Sequence, residues 1–310
     1  MMVRGVRWLL IIVAVACTRV EKPGREESPV VITLHPPCPP TRSSNPDESL
    51  ITDYNILVYN SFGLLEHKTY VPRRAFDGGP VSVEARLVAE APYTVLTAAN
   101  LGYGLGGFGT LEEALSCRYY MAYPDEFSAG IPMAACLEDA VAGKNLRIDV
   151  PLERLMSRVD LCIDRRGLGT GVSLRVESVE VCNSASSVLL FAGSIVDSWP
   201  QLFTRGYMKS GSEVWPLNHD TLEGVSGVVS LYLLESRSGG LTQPYIEVKA
   251  SYHSEKYHTK PGEYLVFRFH ISPDGGAERN SLYHITLKPL ASGLECPDGW
   301  RLDKSAIYED

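Results

Sequence analysis

Residues 104–109, "GLGGFG", spell G-x-G-x-x-G. At this spacing a glycine-rich turn can bring backbone amides against a pyrophosphate at a helix N-terminus. A strand-like run, "YTVLTAAN" (93–100), precedes it, and Thr110 with Glu113 makes a capping-box pattern that starts a helix. Asp125 or Glu126 stands about where the ribose-binding acid of such a site belongs. That acid should close a second parallel strand, but "YMAYPDEF" contains Pro124, and no alternating strand–helix units follow. The glycines therefore read as a surface loop, and no cofactor is expected. His253 and His258 flank a loop, and His270 and His284 fall on the polar phase of strand-like runs, so no metal is expected. G-x-S-x-G, H-E-x-x-H and EF-hand patterns are missing. Glu112-Glu113 and Glu138-Asp139 read as solvated carboxylates. No catalytic residue is expected, and the chain reads as a non-enzyme.

The other chemistry belongs to cysteine. Trp8 to Ala16 is an unbroken apolar run, preceded by Arg4 and Arg7 and ending in Ala14-Val15-Ala16 before Cys17. It is far shorter than the ~20 residues a membrane span needs, so it reads as a secretory signal peptide over residues 1–16. A Cys directly after small residues resembles the lipobox of bacterial lipoproteins, although Ala14 stands where leucine is commoner. The resemblance makes Cys17 the first mature residue and its site of acylation. Two or more acyl chains on one residue anchor a protein stably. The other six cysteines are Cys38, Cys117, Cys136, Cys162, Cys182 and Cys296. Export makes disulfides reasonable, and six cysteines allow about 15 connectivities. Cys162 with Cys182 is suggested because both lie on the polar phase of their strands, but a simple hairpin would set Cys162 opposite about residue 175, so this pair needs a longer crossover. Cys117 with Cys136 fits equally, since both lie in one irregular stretch.

Composition narrows the partners. Formal charge is −8, or about −10 once Arg4 and Arg7 are removed. An acidic surface repels phosphate backbones, so nucleic acid is not an expected partner. Membrane attachment must then come from lipid rather than from basic side chains. A hydrophobic content of 45% is enough to build cores.

Most elements that must position these residues read as strands. Residues 17–29 read as a flexible tether, followed by a short strand "VVITL" (30–34) and the proline-rich segment 35–49. "YNILVYN" (54–60) and "LLEHKTY" (64–70) form a hairpin signal. "VSVEARL" (81–87) alternates in polarity. Residues 119–150 are irregular in pattern until "LRIDVPL". "SRVDLCID" (157–164), "VSLRVESVEV" (172–181), "GVVSLYLLES" (227–236), "YIEVKASY" (245–252), "EYLVFRFHI" (263–271) and "LYHITLKPL" (282–290) follow. A phase change near Glu177–Ser178 predicts a bulge. Short strands between turn signals predict an all-β chain of two antiparallel β-sandwich domains, 30–150 and 151–310, with the boundary at Pro151.

The order "LYLLESRSGGLTQPYIEVKASY" (231–252), "GEYLVFRFHI" (262–271), "ERNSLYHITLKPLASG" (278–293) resembles the fimbrillin-like proteins of Bacteroidales type V pili, in particular their lipoprotein anchor and minor-subunit family. Glu235, Tyr245, Ile246, Glu247, Arg279, Asn280 and Tyr283 hold matching places, and Ser236 replaces the usual Asn. "ESLITDYNILVYNSFGLLE" (48–66), "YTVLTAANLG" (93–102) and "PLERLMSRVDLCID" (151–164) agree more loosely. The resemblance implies tandem Greek-key, transthyretin-like sandwiches. It also implies a pilus subunit at the outer membrane, held by lipid on Cys17. Expected partners are other fimbrial subunits, bound by strand complementation, with a host or bacterial surface receptor as a further partner class. Arg279 and Asn280 read as structural, because Asn tolerates left-handed backbone and Arg offers a five-donor fork.

In shaft fimbrillins of this family, cleavage at an arginine removes the N-terminal strand, and a strand from the next subunit refills the groove. Arg42 is the nearest arginine after "VVITL". Cutting there would discard Cys17 too, so Arg42 is expected to stay intact and the subunit to sit at the pilus base. The tail "ECPDGWRLDKSAIYED" (295–310) lacks an alternating apolar stripe and reads as a poor donor strand. A competing expectation is a surface glycan-binding lipoprotein, with Trp199 and Trp215 as an aromatic rim and Trp300 as the remaining mature tryptophan.

Overall fold

The computed structural model describes residues 27–37, 48–72, 79–191, 201–219, 224–236, 242–256, 264–272, 275–294 and 301–306. Expectations for Cys17, Cys38, Arg42, Trp199, His258, Cys296 and Trp300 lie outside those residues.

The chain begins with β1 (Glu27–His35), β2 (Tyr54–Asn60), β3 (Leu65–Val71), β4 (Val81–Val88) and β5 (Pro92–Ala99). A short helix α1 (Leu111–Leu115), β6 (Arg118–Tyr120), β7 (Met133–Val141), β8 (Arg147–Pro151) and β9 (Glu153–Arg154) follow. One sheet has the order β4-β1-β8 and a second the order β3-β2-β5-β7-β9. Val30, Ile32 and Leu34 of β1 meet Ile56, Val58 and Val95 of the second sheet in one core. The alternating pattern of β4 follows from one covered face and one wet face. β2 is buried along nearly its whole length, because Leu57 and Tyr59 on its other face are covered by a different cluster.

The remaining elements are β10 (Met156–Ile163), β11 (Val172–Ala185), β12 (Ser187–Leu189), β13 (Leu202–Ser210), a single-turn helix α2 (Trp215–Asn218), β14 (Val229–Leu234), β15 (Tyr245–Ser254), β16 (Tyr264–His270), β17 (Ser281–Leu287) and β18 (Arg301–Ala306). They form sheets β14-β10-β17-β18 and β13-β11-β15-β16, with Val159, Leu161, Val179, Val181, Ile246 and Tyr283 between them. The two halves share one wiring. β1 lies between antiparallel β4 and parallel β8, and β10 lies between antiparallel β14 and parallel β17.

A third cluster joins the halves. Leu57, Tyr59 and Leu96 from the back of the first large sheet pack with Phe127, Val188, Leu190, Tyr232 and Leu234. Phe127 sits edge-on to Tyr207 at 5.2 Å and tilted to Tyr232 at 5.4 Å. β6 and β12 pair across this junction. The chain crosses at Leu155, because β9 beyond Pro151 still pairs with β7.

The hairpin of β2 with β3 and the bulge between Val176 and Ser178 match the sequence reading. So does the capping box, where Glu113 N donates to Thr110 Oγ1 at 3.3 Å. Four elements differ. β1 starts at Glu27, inside the stretch expected to be tether. β7 and β13 occupy stretches where no strand was expected. The tail contains β18, which pairs antiparallel with β17 from Ser281↔Ala306 to Thr286↔Arg301. Backbone pairing at a sheet edge needs no apolar stripe, which is why the polar pattern concealed it.

Candidate functional site

β1 fills a slot. Val30, Ile32 and Leu34 are each 0% exposed, and both edges of the strand are paired. β4 offers Val81, Ala85 and Leu87 to the same core, and β8 offers Ile148 and Val150. Side-chain pairs hold the strand's register. Thr33 Oγ1 lies 3.0 Å from Ser82 Oγ. His35 Nε2 lies 2.7 Å from Asp149 Oδ1, and Arg147 Nε donates to that oxygen at 2.9 Å. The His35 hydrogen bond, then Arg147, holds the Asp149 carboxyl below its usual range. His35 O accepts from Leu152 N at 2.9 Å, so the strand's end is also fixed. Lifting out β1 would expose an apolar trench and two rows of unpaired backbone groups, the arrangement that an added strand satisfies.

The chain after β1 returns at Glu48 and enters a buried charge network at the junction. The Glu48 side chain is 0% exposed. Its Oε1 accepts from Arg158 Nη1 at 2.8 Å and from the Tyr232 hydroxyl at 2.8 Å. Its Oε2 makes no hydrogen bond and lies 3.5 Å from Arg154 Nε, which donates instead to Glu48 O at 3.1 Å. Arg158 also grips Asp160 with two bonds, 2.7 and 2.9 Å. Arg154 Nη1 donates to Asn280 Oδ1 at 3.2 Å. Burial first, then the Glu48 carboxylate, pushes the Tyr232 phenol well above its usual range. Two guanidinium groups face two carboxylates, so β9, β10 and β14 are tied to the segment following β1.

The residues that carried the family resemblance converge on this junction. Arg279 Nε donates to Glu235 at 2.6 Å, and its Nη2 donates to Leu189 O at 2.8 Å. Asn280 takes φ +57°, and its N–H donates to Met156 O at 3.0 Å. Tyr283 is buried, and its hydroxyl accepts from Glu278 N. These roles are structural, as the residue chemistry implied. The Glu48 cluster was missed, because its members lie up to 184 positions apart and each alone looks like a surface residue.

Elsewhere the geometry is less productive. The "GLGGFG" glycines lie in a loop before a five-residue helix, and Glu113 Oε2 accepts from Gly109 N at 2.9 Å and from Thr110 N at 3.3 Å. The chain's own carboxylate thus occupies the amides an anion would need. His270 and His284 are exposed, as read.

Cys117, Cys136, Cys162 and Cys182 are all free. Burial raises the thiol pKa of Cys117, Cys136 and Cys182. Cys117 and Cys136 border the same junction cluster. Cys162 and Cys182 cannot meet without rearrangement. Val159, Leu161 and Ile163 of β10 face the core, so Cys162 faces outward from its sheet, 3.3 Å from Thr286 Oγ1. Val179 and Val181 of β11 face the same core, so Cys182 faces outward from the opposite sheet. The polar phase that suggested a bridge puts the thiols on opposite outer faces of sheets about 10 Å apart, beyond the ~7 Å Cα limit for a disulfide. Peptide mapping without reduction is expected to recover them unlinked to each other, and a linked Cys162–Cys182 peptide would contradict this packing.

No protein-family profile matches the chain, and no curated protein matches it. Solved structures do match. A C-terminally truncated tip fimbrial protein, Mfa3 of Porphyromonas gingivalis, aligns at TM-score 0.58 and 11% identity, over 90% of this chain and 99% of that one. A fimbrilin (FimA) of the same organism aligns at 0.58 and 13% identity, over 89% and 95%. A fimbrial assembly protein of Parabacteroides distasonis aligns at 0.50 and 12% identity, over 91% and 96%. The chain has the fold of these fimbrial proteins over nearly its whole length.

Proposed function

We propose that this chain is a non-enzymatic fimbrial subunit that takes part in pilus assembly and cell adhesion, tethered to the outer membrane by lipid on Cys17 and acting at the pilus base. The observation that carries the reading is the slot of β1. An N-terminal strand lies between β4 and β8 with three side chains fully buried, in a fold shared with a tip fimbrial protein, a fimbrilin and a fimbrial assembly protein. Fimbrial partners would bind by strand addition, which needs unpaired sheet edges and an apolar trench. β18 pairs with the chain's own β17, so in this state it is engaged rather than offered to a neighbour.

The order of residues supports base rather than shaft. Cys17 and β1 both lie before Arg42, so a cut there would separate the folded body from lipid and strand together. The lipid half of the proposal is tested by Cys17→Ser. The variant is expected in the soluble fraction without palmitate label, while the parent stays with outer membranes. A variant that remains membrane-bound and labelled overturns the lipid assignment.

A further inference from the structure

The C-terminal sandwich carries a groove at the end remote from the junction. β10 starts at Met156 in the junction cluster and runs outward about 26 Å, at roughly 3.3 Å per residue, to Ile163. Beyond it, the turn after β10, the start of β11 and α2 border an open groove of ≈ 530 Å³. β11 extends past the end of β13, whose last partner pair is Ser178↔Ser210. Residues 172–176 pair only with β15, and α2 takes the place of a strand on the other side. Asn218 makes that substitution directly. Its side chain accepts from Val176 N at 2.8 Å and donates to Val176 O at 2.9 Å.

This clamp fixes what the groove presents. Val214 and Leu217 are sunk in the core, so Trp215 between them is turned outward, 57% exposed and stacked on His219 at 6.1 Å. Arg165 is held in place, with Nε donating to Leu174 O at 3.0 Å and Nη2 reaching Asn218 Oδ1 at 3.5 Å. Arg175 is exposed and has no side-chain partner among the described residues, and the Ser173 hydroxyl lies beside it. Among the described residues no carboxylate lines the groove, although the chain as a whole carries −8. Asp164, the nearest acid in sequence, is already paired with Arg166 at 2.6 Å.

We propose that this groove binds a carboxylate-bearing saccharide. The flat indole suits the apolar face of a pyranose ring. A guanidinium fork suits a carboxylate by paired charge-assisted hydrogen bonds. The exposed guanidinium of Arg175 beside one exposed tryptophan, with no acid among the described lining residues, selects an acidic sugar over a neutral one. The groove lies far from β1 and does not depend on Cys17, so this site and the fimbrial reading stand or fall separately.

The test is calorimetric titration of the mature chain with tetragalacturonate, a hyaluronan tetrasaccharide and sialyllactose, each beside a neutral counterpart such as lactose. At least one acidic saccharide should bind about tenfold more tightly than its neutral counterpart. Trp215→Ala and Arg175→Gln should each weaken that binding by about tenfold or more, the loss of one stacking surface or one charged hydrogen-bond pair. Arg175→Gln should leave the melting temperature unchanged, because the side chain has no structural partner to lose. The proposal is overturned if none of the three acidic saccharides binds, or if neutral sugars bind equally. It is also overturned if a poly-glutamate peptide binds as well as the sugars and Trp215→Ala leaves binding intact.

Discussion

Glu48→Ala is expected to destabilise the folded chain by about 3–5 kcal/mol, the usual consequence of removing one partner from a buried ion pair. The carboxylate is fully buried and answers Arg158, Tyr232 and, more distantly, Arg154. Without it, Asp160 is the carboxylate left to Arg154 and Arg158 among the described residues, and the buried charges there no longer balance. Glu48→Gln should cost less, because the amide oxygen can still accept from Arg158 and Tyr232 while the charge mismatch remains. The double variant Glu48→Ala/Arg158→Met removes both charges of the close pair. It should still be less stable than the parent, because Arg158→Met rebalances the charge but strips both guanidinium bonds from buried Asp160. Urea unfolding followed at two wavelengths measures all three. A loss under about 1 kcal/mol for Glu48→Ala would mean that water reaches the network and screens it as it does a surface pair.

How far that network was legible in the sequence depends on what kind of signal each part leaves. Alternation exposed β4, β15 and β16, because one face of each is more exposed than the other. β7 left no such trace: Met133-Ala134 is buried, Ala135 to Leu137 half-buried and Glu138-Asp139 exposed, because its neighbours change along its length. β13 lies at a sheet edge and carries Thr204, Arg205 and Lys209, so its pattern is that of a loop. The family motif located Arg279 and Asn280, and their chemistry gave their roles, since a left-handed backbone and a five-donor fork are local properties. Glu48 is different. Its burial comes from Arg158 and Tyr232, which topology alone brings to it. The cysteines show the converse error. Strand phase was read correctly for Cys162 and Cys182, but phase says only in or out, and two outward directions on a sandwich are opposite.

Excising β1 should have an effect larger still. Val30, Ile32 and Leu34 are fully buried, and at about 1.5–3 kcal/mol each their transfer alone amounts to roughly 5–9 kcal/mol. That is comparable to the whole stability of an ordinary domain, about 5–15 kcal/mol. The paired backbone groups of β4 and β8 would be left open as well. A chain that has lost Glu27–His35 should therefore survive only if another strand replaces it. With a specific protease site placed between residues 38 and 47, the cut chain should retain the strand non-covalently under native conditions. After mild denaturation and removal of the fragment, a synthetic peptide of Glu27–His35 should restore the melting temperature, and the same peptide with Ile32→Asp should not. The natural protein faces the same energetics. A cut at Arg42 would commit a subunit to accepting a strand from a partner and would forfeit Cys17 with any lipid it carries, whereas an intact Arg42 keeps the slot filled from within. At a pilus base the second state is the useful one, because nothing beneath the subunit can donate a strand. Protein recovered from outer membranes should begin at an acylated Cys17 and include Glu27–His35. Recovery from pili of a mature chain beginning at Ser43 would overturn the base assignment and put the subunit in the shaft or at the tip.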